Sequence, residues 1–468
     1  MTAARFHPEA ARTLADATLY PLWLDSPDAP GTEPNLIGRT QADLAIVGGG
    51  FTGLWAAILA KEADPSLDVV LVEAGKVAHG ASGRPGGIVS TSIMHGLANA
   101  VRIFPNDIAV LERLGRENLD GFSETLVRHG IDAEAEWGGE LTVAVDPSHL
   151  THLRDEYEQH RRYGHDVIYL DREAVQAQVA SPIFEGGVWS RERSGTVHPA
   201  KLAWGLKVAA RRLGVRIYEH TPMTRLEEDG AGMTVRTRDG SVRAPRVFLG
   251  TDAWGSGHRH IKRRIISVRD RVIATEPLSS EQMARVGWAS RQGLYDTRTQ
   301  LNYTRLTRDN RIVFGGRVGY FFNDDIDPAA DRDISTYHRL AASFFKTFPQ
   351  LDDVRFSHAW SGPIAMSTRL AVHFQSYYGG KAVWAGGYSG FGVSASRFGA
   401  RVGLDKLFGR RTPELDLDFA TSLPNRIPPE PFRWLGAKLT MYALDDADEK
   451  GGWRKAWIGL IHRMGFPL

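Results

Sequence analysis

The sequence predicts a mixed α/β fold, a Rossmann-like domain interrupted by insertions that build a separate antiparallel β-sheet domain. Three observations predict it. The apolar run Leu44–Val47 leads into Gly48-Gly49-Gly50-Phe51-Thr52-Gly53 and then a helical pattern. A second apolar run, Val69–Val72, ends on Glu73. Matching strand-to-glycine passages return much later, at Val247-Phe248-Leu249-Gly250 and at Ala382-Val383-Trp384-Ala385-Gly386-Gly387, with strand-rich sequence between them.

Each element has a physical reason. Short, wholly apolar runs are the signature of strands buried on both faces. Gly48, Gly50 and Gly53 fit GxGxxG: a tight turn, close backbone approach to a pyrophosphate, and close packing of helix on strand. The helix starting near Thr52 turns its free N–H groups and positive dipole end toward phosphate. Glu73 stands 73 − 53 = 20 positions beyond the last glycine, where a carboxylate accepts hydrogen bonds from ribose hydroxyls. An acid there disfavours a 2′-phosphate, so FAD or NAD is favoured over NADP.

Further along, Ala78–Gly87 is so rich in small residues that backbone can approach a flat or charged ligand. Ile108–His129 and Leu150–Gly164 read as helices, and Leu141–Val145 alternates like a strand. Ala200–Leu213 is amphipathic and stops at Gly214. Val235–Thr237 and Val242–Ala244 flank Asp239-Gly240, a hairpin signal. Val268–Thr275, Leu301–Tyr303 and Arg311–Gly316 read as strands, Ile334–Phe348 as a helix, and a final helix runs to Phe408 before Gly409. The expected division is an arm at 1–42, a nucleotide-binding domain at 43–95, 186–264 and 356–420, a β-sheet substrate domain at 96–185 and 265–355, and a tail at 421–468. The tail carries Trp434, Trp453 and Trp457 beside Lys438, Lys450, Arg454 and Lys455. It reads either as a segment docked on the body, which is the reading taken, or as an amphipathic segment grazing a membrane.

Composition bounds the function. With 468 residues, 42% hydrophobic and 24% charged, the chain is an ordinary globular protein of about two to three domains. A net charge of +2 gives no electrostatic footprint for nucleic acid. Cysteine is absent, which excludes disulfides, thiolate metal sites, cysteine nucleophiles and cysteinyl flavin links. No apolar stretch long enough to span a bilayer and no secretory signal is seen, so the expectation is a cytoplasmic protein without an integral membrane segment. No metal site is read, and neither HExxH nor GxSxG appears.

At this point the chain resembles the FAD-dependent oxidoreductases of the D-amino-acid-oxidase and glycine-oxidase superfamily, especially γ-glutamylputrescine-oxidoreductase-like members. The resemblance covers about residues 20–420 and rests on four signatures in order. They are Ile46–Leu54 with Glu73; Gly80-Ala81-Ser82-Gly83-Arg84-Pro85-Gly86-Gly87; Tyr303–Arg311 followed by Phe314-Gly315-Gly316; and Gly387-Tyr388-Ser389-Gly390-Phe391-Gly392-Val393. The resemblance implies a glutathione-reductase-type FAD domain. Gly48, Gly50 and Gly53 would hold the pyrophosphate and Glu73 the ribose; Ser82, Arg84, Gly86 and Gly87 would border the pyrophosphate and isoalloxazine. Met223 would meet adenine through its backbone, and Gly390, Gly392 and Val393 would start a helix aimed at the flavin pyrimidine. Phe51, Thr52, Ala74, Ala81, Gly250, Gly387 and Phe391 complete the expected contacts.

The chain departs from the family at Pro85, where asparagine is usual, and at Arg84, where some relatives attach flavin through histidine. The expectation is therefore non-covalent FAD. Val313 lies near the position of an oxygen-activating lysine of sarcosine-oxidase-like relatives, leaving the electron acceptor open.

The expected reaction is oxidation of a C–N bond in an amine or amino acid by hydride transfer to flavin N5, followed by hydrolysis of the imine. Substrate-side candidates are Tyr303, Arg305, Trp360 and Tyr388: aromatic walls to cage an amine and an arginine to pair with an anionic group. Each has a structural alternative, as core, surface ion pair or interdomain packing. His198 reads as structural and His95 as a satisfied loop residue; Arg269, Asp270 and Arg271 read as a solvated strand face. Two other functions stay open: an FAD-dependent dehydrogenase of a 2-hydroxy acid or polyol phosphate, and a non-catalytic or membrane-docking electron-transfer flavoprotein. An NAD-dependent dehydrogenase is a third. The oligomeric state is not legible.

Overall fold

The computed structural model describes residues 8–230, 232–326, 332–445 and 447–466. Its centre is a six-stranded sheet ordered His373–Tyr377, Ala382–Gly386, Arg246–Leu249, Leu44–Val47, Val69–Val72, Arg216–Tyr218. All pairs are parallel except the edge strand His373–Tyr377. The apolar runs are buried on both sides, and their alternation sorts them between two layers. Leu44, Ile46 and Leu71 pack with Leu54 of the helix Phe51–Ala63, Leu206 of Pro199–Arg212 and Phe398 of Gly392–Phe408. Ala45, Val47, Val70 and Val72 pack instead with Met233, Val235 and Val242 of a four-stranded sheet.

That smaller sheet contains the predicted hairpin, with Gly232–Thr237 antiparallel to Gly240–Ala244. Its edge strand Gly38–Gln41 comes from the N-terminal arm and pairs parallel with Gly240–Ala244. Further back in the arm, Trp23 is buried and its indole Nε1 donates to the Pro85 carbonyl at 2.8 Å. Glu219 secures the arm from the other side, accepting from the Glu33 N–H at 2.6 Å and from Lys207 Nζ at 3.1 Å.

The second large sheet has eight strands, ordered Phe356–Ser367, Ile265–Thr275, Ile312–Gly319, Asn302–Leu306, Gly293–Asp296, Glu140–Ala144, Gly186–Ser190, Val167–Leu170. Its pairs are antiparallel except Gly293–Asp296 with Glu140–Ala144, which is parallel. Strands Gly186–Ser190 and Phe356–Ser367 hydrogen-bond within this sheet. The expected boundaries at 185/186 and 355/356 therefore differ from the strand pairing: both strands sit on the sheet side. A sequence boundary placed at a glycine-rich or polar stretch cannot see which neighbour a strand pairs with. One face of this sheet is covered by the helices Pro8–Leu14 and His338–Thr347. The other face looks across a cavity of about 1040 Å³ at the carboxyl ends of the parallel strands, the place where open α/β sheets bind ligands.

Candidate functional site

The floor of the cavity is made by main chain. Gly48 has φ +106°, and a Cβ there would lie 2.7 Å from the Gly250 carbonyl oxygen. A Cβ on Gly53 would lie 1.9 Å from the Gly48 carbonyl oxygen, so helix and strand meet at a distance only glycine allows. The helix Phe51–Ala63 begins without a side-chain hydrogen bond from its N-cap, Gly50. Glu73 closes the floor: its two carboxylate oxygens accept from the N–H of Gly49 at 2.6 Å and of Gly75 at 2.8 Å. Burial raises its pKa while those amides lower it.

Beside the floor lies the loop Gly80–Gly87. Ser82 Oγ accepts from the Phe51 N–H at 2.8 Å, joining the loop to the first turn of the helix. Arg84 is tied down through Nε to the His79 carbonyl at 3.0 Å and through Nη1 to the Ser361 carbonyl at 3.0 Å. Burial lowers its pKa to about 10. From the other side, the helix Gly392–Phe408 also starts without a side-chain cap and points its N-terminus into the same cavity. Asp252, raised to about 6 by burial, fixes the loop before that helix by accepting from the Gly387 N–H at 2.8 Å.

The wall is the eight-stranded sheet. Ile266, Val268, Asp270 and Val272 alternate along one strand to line the cavity, with Tyr303 on a neighbouring strand. Tyr303 donates its phenol to Asp270 Oδ2 at 2.6 Å. Burial raises Asp270 to about 6, and burial with the adjacent carboxylate pushes Tyr303 well above its ordinary value. The Tyr303 ring packs on the glycine-rich loop; a Cβ on Gly86 would lie 2.5 Å from its Cε2. His95, lowered to about 4 by burial, packs its ring on Phe391 at 4.1 Å and is neutral at pH 7.

The roof is the C-terminal segment, where the helices Phe432–Asp445 and Trp453–Arg463 pair as a hairpin. Ala437, Met441, Leu444, Trp457 and Ile461 line the cavity from above. Arg433 holds the hairpin in place by a buried ion pair with Asp324. Of the two readings of the tail, docking on the body describes its inner face.

Of the expected cofactor residues, Gly48, Gly50, Phe51, Thr52, Glu73, Ala74, Ala81, Ser82, Arg84, Gly86, Gly87, Met223, Gly250, Gly390, Phe391, Gly392 and Val393 line the cavity. Gly53 and Gly387 stand behind it as packing and loop residues. Of the substrate-side residues, Tyr303 and Tyr388 line the cavity. The Tyr388 hydroxyl accepts from Thr52 Oγ1 at 2.9 Å, bolting the last loop to the first helix. Arg305 and Trp360 lie outside the lining. Arg305 is buried, with Nη1 on the Val197 carbonyl at 2.6 Å and its guanidinium over the Trp23 ring. Trp360 donates to the Arg84 carbonyl at 2.9 Å and packs edge-on against Trp23. Val313 is buried in the core, while Arg317 of the same strand lines the cavity.

Asp270 corrects the expected solvated face: Arg269 and Asp270 are both buried. The signal was present, since Ile266, Val268, Val272 and Ala274 share its parity and leave one acid on an otherwise apolar strand face. The roof residues carried no such signal.

Residues 43–403 match the family described as FAD dependent oxidoreductase (DAO). The chain belongs to this family. It is 32% identical over 374 residues to the γ-glutamylputrescine oxidoreductase of Escherichia coli (strain K12), covering 78% of this chain and 84% of that protein. It is 29% identical over 396 residues to the probable oxidoreductase OrdL of Haemophilus influenzae, covering 83% and 88%. Among solved structures it resembles glycine oxidase from Geobacillus kaustophilus, with TM-score 0.66 at 18% identity over 82% of this chain and 99% of that one. L-amino acid deaminase from Proteus vulgaris gives TM-score 0.65 at 16% identity over 82% and 97%. The protein is thus an FAD-dependent oxidoreductase. The site's own residues fit FAD: two helices whose N-cap residues make no side-chain cap hydrogen bond, and a buried strand-end carboxylate, border one cavity of about 1040 Å³. The hairpin lies beyond the matched region. Among the described residues no helix is long and apolar enough to cross a membrane, and no acid–histidine cluster could hold a metal ion.

Proposed function

We propose that the chain oxidises a C–N bond of an amine or amino acid to an imine, which water then hydrolyses to a carbonyl compound. The observation that supports this reading best is the Asp270–Tyr303 pair, a buried carboxylate on the cavity wall beside the flavin loop. The other two carboxylates of the lining are engaged by backbone amides, Glu73 at the floor and Asp252 under the Gly387 loop. Asp270 accepts from the Tyr303 phenol and from the Arg271 backbone N–H, and its carboxylate keeps acceptor capacity for a substrate N–H.

FAD, held without a covalent bond, supplies the two-electron acceptor when bound. The protein's own residues do the rest. Asp270 fixes the substrate nitrogen and takes up its proton, so that the lone pair is available as the C–H bond breaks. Tyr303 orients that carboxylate. Asp270 is ionised above about pH 6, so turnover rises as pH increases through that value. The apolar wall and roof exclude water until the imine has formed. The likeness to proteins named γ-glutamylputrescine oxidoreductase, glycine oxidase and L-amino acid deaminase supports a nitrogen-bearing substrate.

The test is anaerobic titration of the purified protein with a panel of amines, amino acids and 2-hydroxy acids, followed by the flavin absorbance. Bleaching by members of the nitrogen-bearing set alone is expected. Bleaching by 2-hydroxy acids alone would overturn the reading.

A further inference from the structure

The C-terminal hairpin is apolar on two opposite faces, and the fold covers only one. In the helix Phe432–Asp445 the inner face, with Gly436, Ala437, Thr440, Met441 and Leu444, lines the cavity. Leu435, Leu439 and Tyr442 repeat at helical spacing on the opposite side. The patch continues onto the second helix, because Tyr442 stacks on Trp453 with centroids 6.1 Å apart. Leu435, Leu439, Tyr442, Trp453 and Leu460 are each 38–53% exposed, although a helix apolar all round is ordinarily buried all round. Phe322, also exposed, extends the patch and packs edge-on against Trp434.

The charged side chains recorded against the rings of this region are cationic. Arg454 lies over the Tyr442 and Trp453 rings at 5.5 and 5.0 Å, and Lys438 lies over Phe321 at 5.9 Å. The helix Trp453–Arg463 carries Arg454, Lys455 and Arg463 and no acid. Asp445 ends the first helix and Asp446, Asp448 and Glu449 follow it in sequence before the second, so the cationic excess belongs to the second helix.

We propose that the outer face of this hairpin docks on an anionic lipid surface. Leu435, Leu439, Tyr442, Trp453 and Leu460 enter the interface while Lys438, Arg454, Lys455 and Arg463 meet the headgroups. Aromatic side chains at the boundary, aliphatic ones below it and long cations snorkelling around them are the chemistry of an interfacial helix. A second copy of the chain fits less well. A two-fold contact through this patch would bring the Arg454 and Lys455 fringes of both copies together. The docked hairpin would still roof the cavity through its inner face. The inference does not depend on the identity of the substrate.

The experiment is co-sedimentation of the full flavin-loaded protein with phosphatidylcholine vesicles, with and without phosphatidylglycerol. The protein should pellet with the anionic vesicles. The double variant Leu435→Ser/Leu439→Ser, neither of which lines the cavity, should lose at least about tenfold in vesicle affinity while keeping the wild-type flavin spectrum. Arg454→Gln/Lys455→Gln should weaken binding to the anionic vesicles only. Wild-type protein left in the supernatant with both vesicle types overturns the proposal, as does a double variant that pellets like wild type. A wild-type dimer on size exclusion that the same double variant splits would also overturn it, by assigning the face to self-association.

Discussion

The floor and the roof of the cavity are built on opposite plans. The floor, Asp43 to Gly87, is main chain: a carbonyl 1.9 Å from where a Gly53 Cβ would stand, and backbone amides on Glu73. The roof is two helices held from afar, its anchor Arg433 paired with Asp324 more than a hundred residues earlier in the chain. A floor of this kind has no slack, because a hydrogen atom in place of a side chain is its geometry. A roof held by side chains can be retuned without touching the cofactor. The difference teaches where this fold keeps its chemistry constant and where it has room to vary.

Two glycines break or sharpen the comparison most directly. Gly53→Ala forces backbone apart at the floor, so we expect protein that purifies without yellow colour, with FAD affinity lowered at least about a hundredfold; the flavin-to-protein absorbance ratio reports it. Between floor and roof, Asp270→Asn should retain the flavin spectrum and lower kcat/KM by about a hundredfold. Because the folded carboxyl titrates near 6, the wild-type rise of kcat/KM with pH across that value should vanish in the variant. A pH profile unchanged in shape would remove Asp270 from the chemistry.

At the roof, Arg433→Met leaves the Asp324 carboxylate buried without its partner, a loss of about 3 kcal/mol or more visible in denaturant unfolding or as early proteolysis of the released hairpin. Adding Asp324→Leu should restore most of that stability. The smallest effect belongs to Gly436, where an added Cβ meets nothing within 4 Å. Gly436→Ala should be neutral or stabilising by about 0.5–1 kcal/mol through helix propensity, read as Tm. Gly436→Phe should instead fill the cavity and raise KM for long amines by about tenfold while sparing short ones.

The legible part of the site was the part that local geometry dictates. A tight turn with φ +106° at Gly48, a strand end at Glu73 and a helix start at Gly392 each leave a mark within a few residues of sequence. Arg305 shows the opposite case. Its position in a signature stretch suggested a substrate contact, yet its guanidinium is taken by the Val197 carbonyl and the Trp23 ring, partners that no spacing rule names. Two flanking arginines make Asp270 look like part of a wet strand, whereas strand pairing on both sides buries Arg269 and Asp270 and leaves only Arg271 partly exposed.

By itself the sequence determined the buried strands, the glycine cradle and a preference for FAD or NAD over NADP, since strand burial, backbone clash and helix-end charge act between near neighbours in the chain; FAD itself followed from the family resemblance. Only the tertiary structure decided which side chains share the cavity: Asp270 with Tyr303 on the wall, and Met441, Leu444 and Ile461 above. Those encounters join segments whose meeting depends on strand order and on one remote ion pair, and neither leaves a periodic trace in the order of residues.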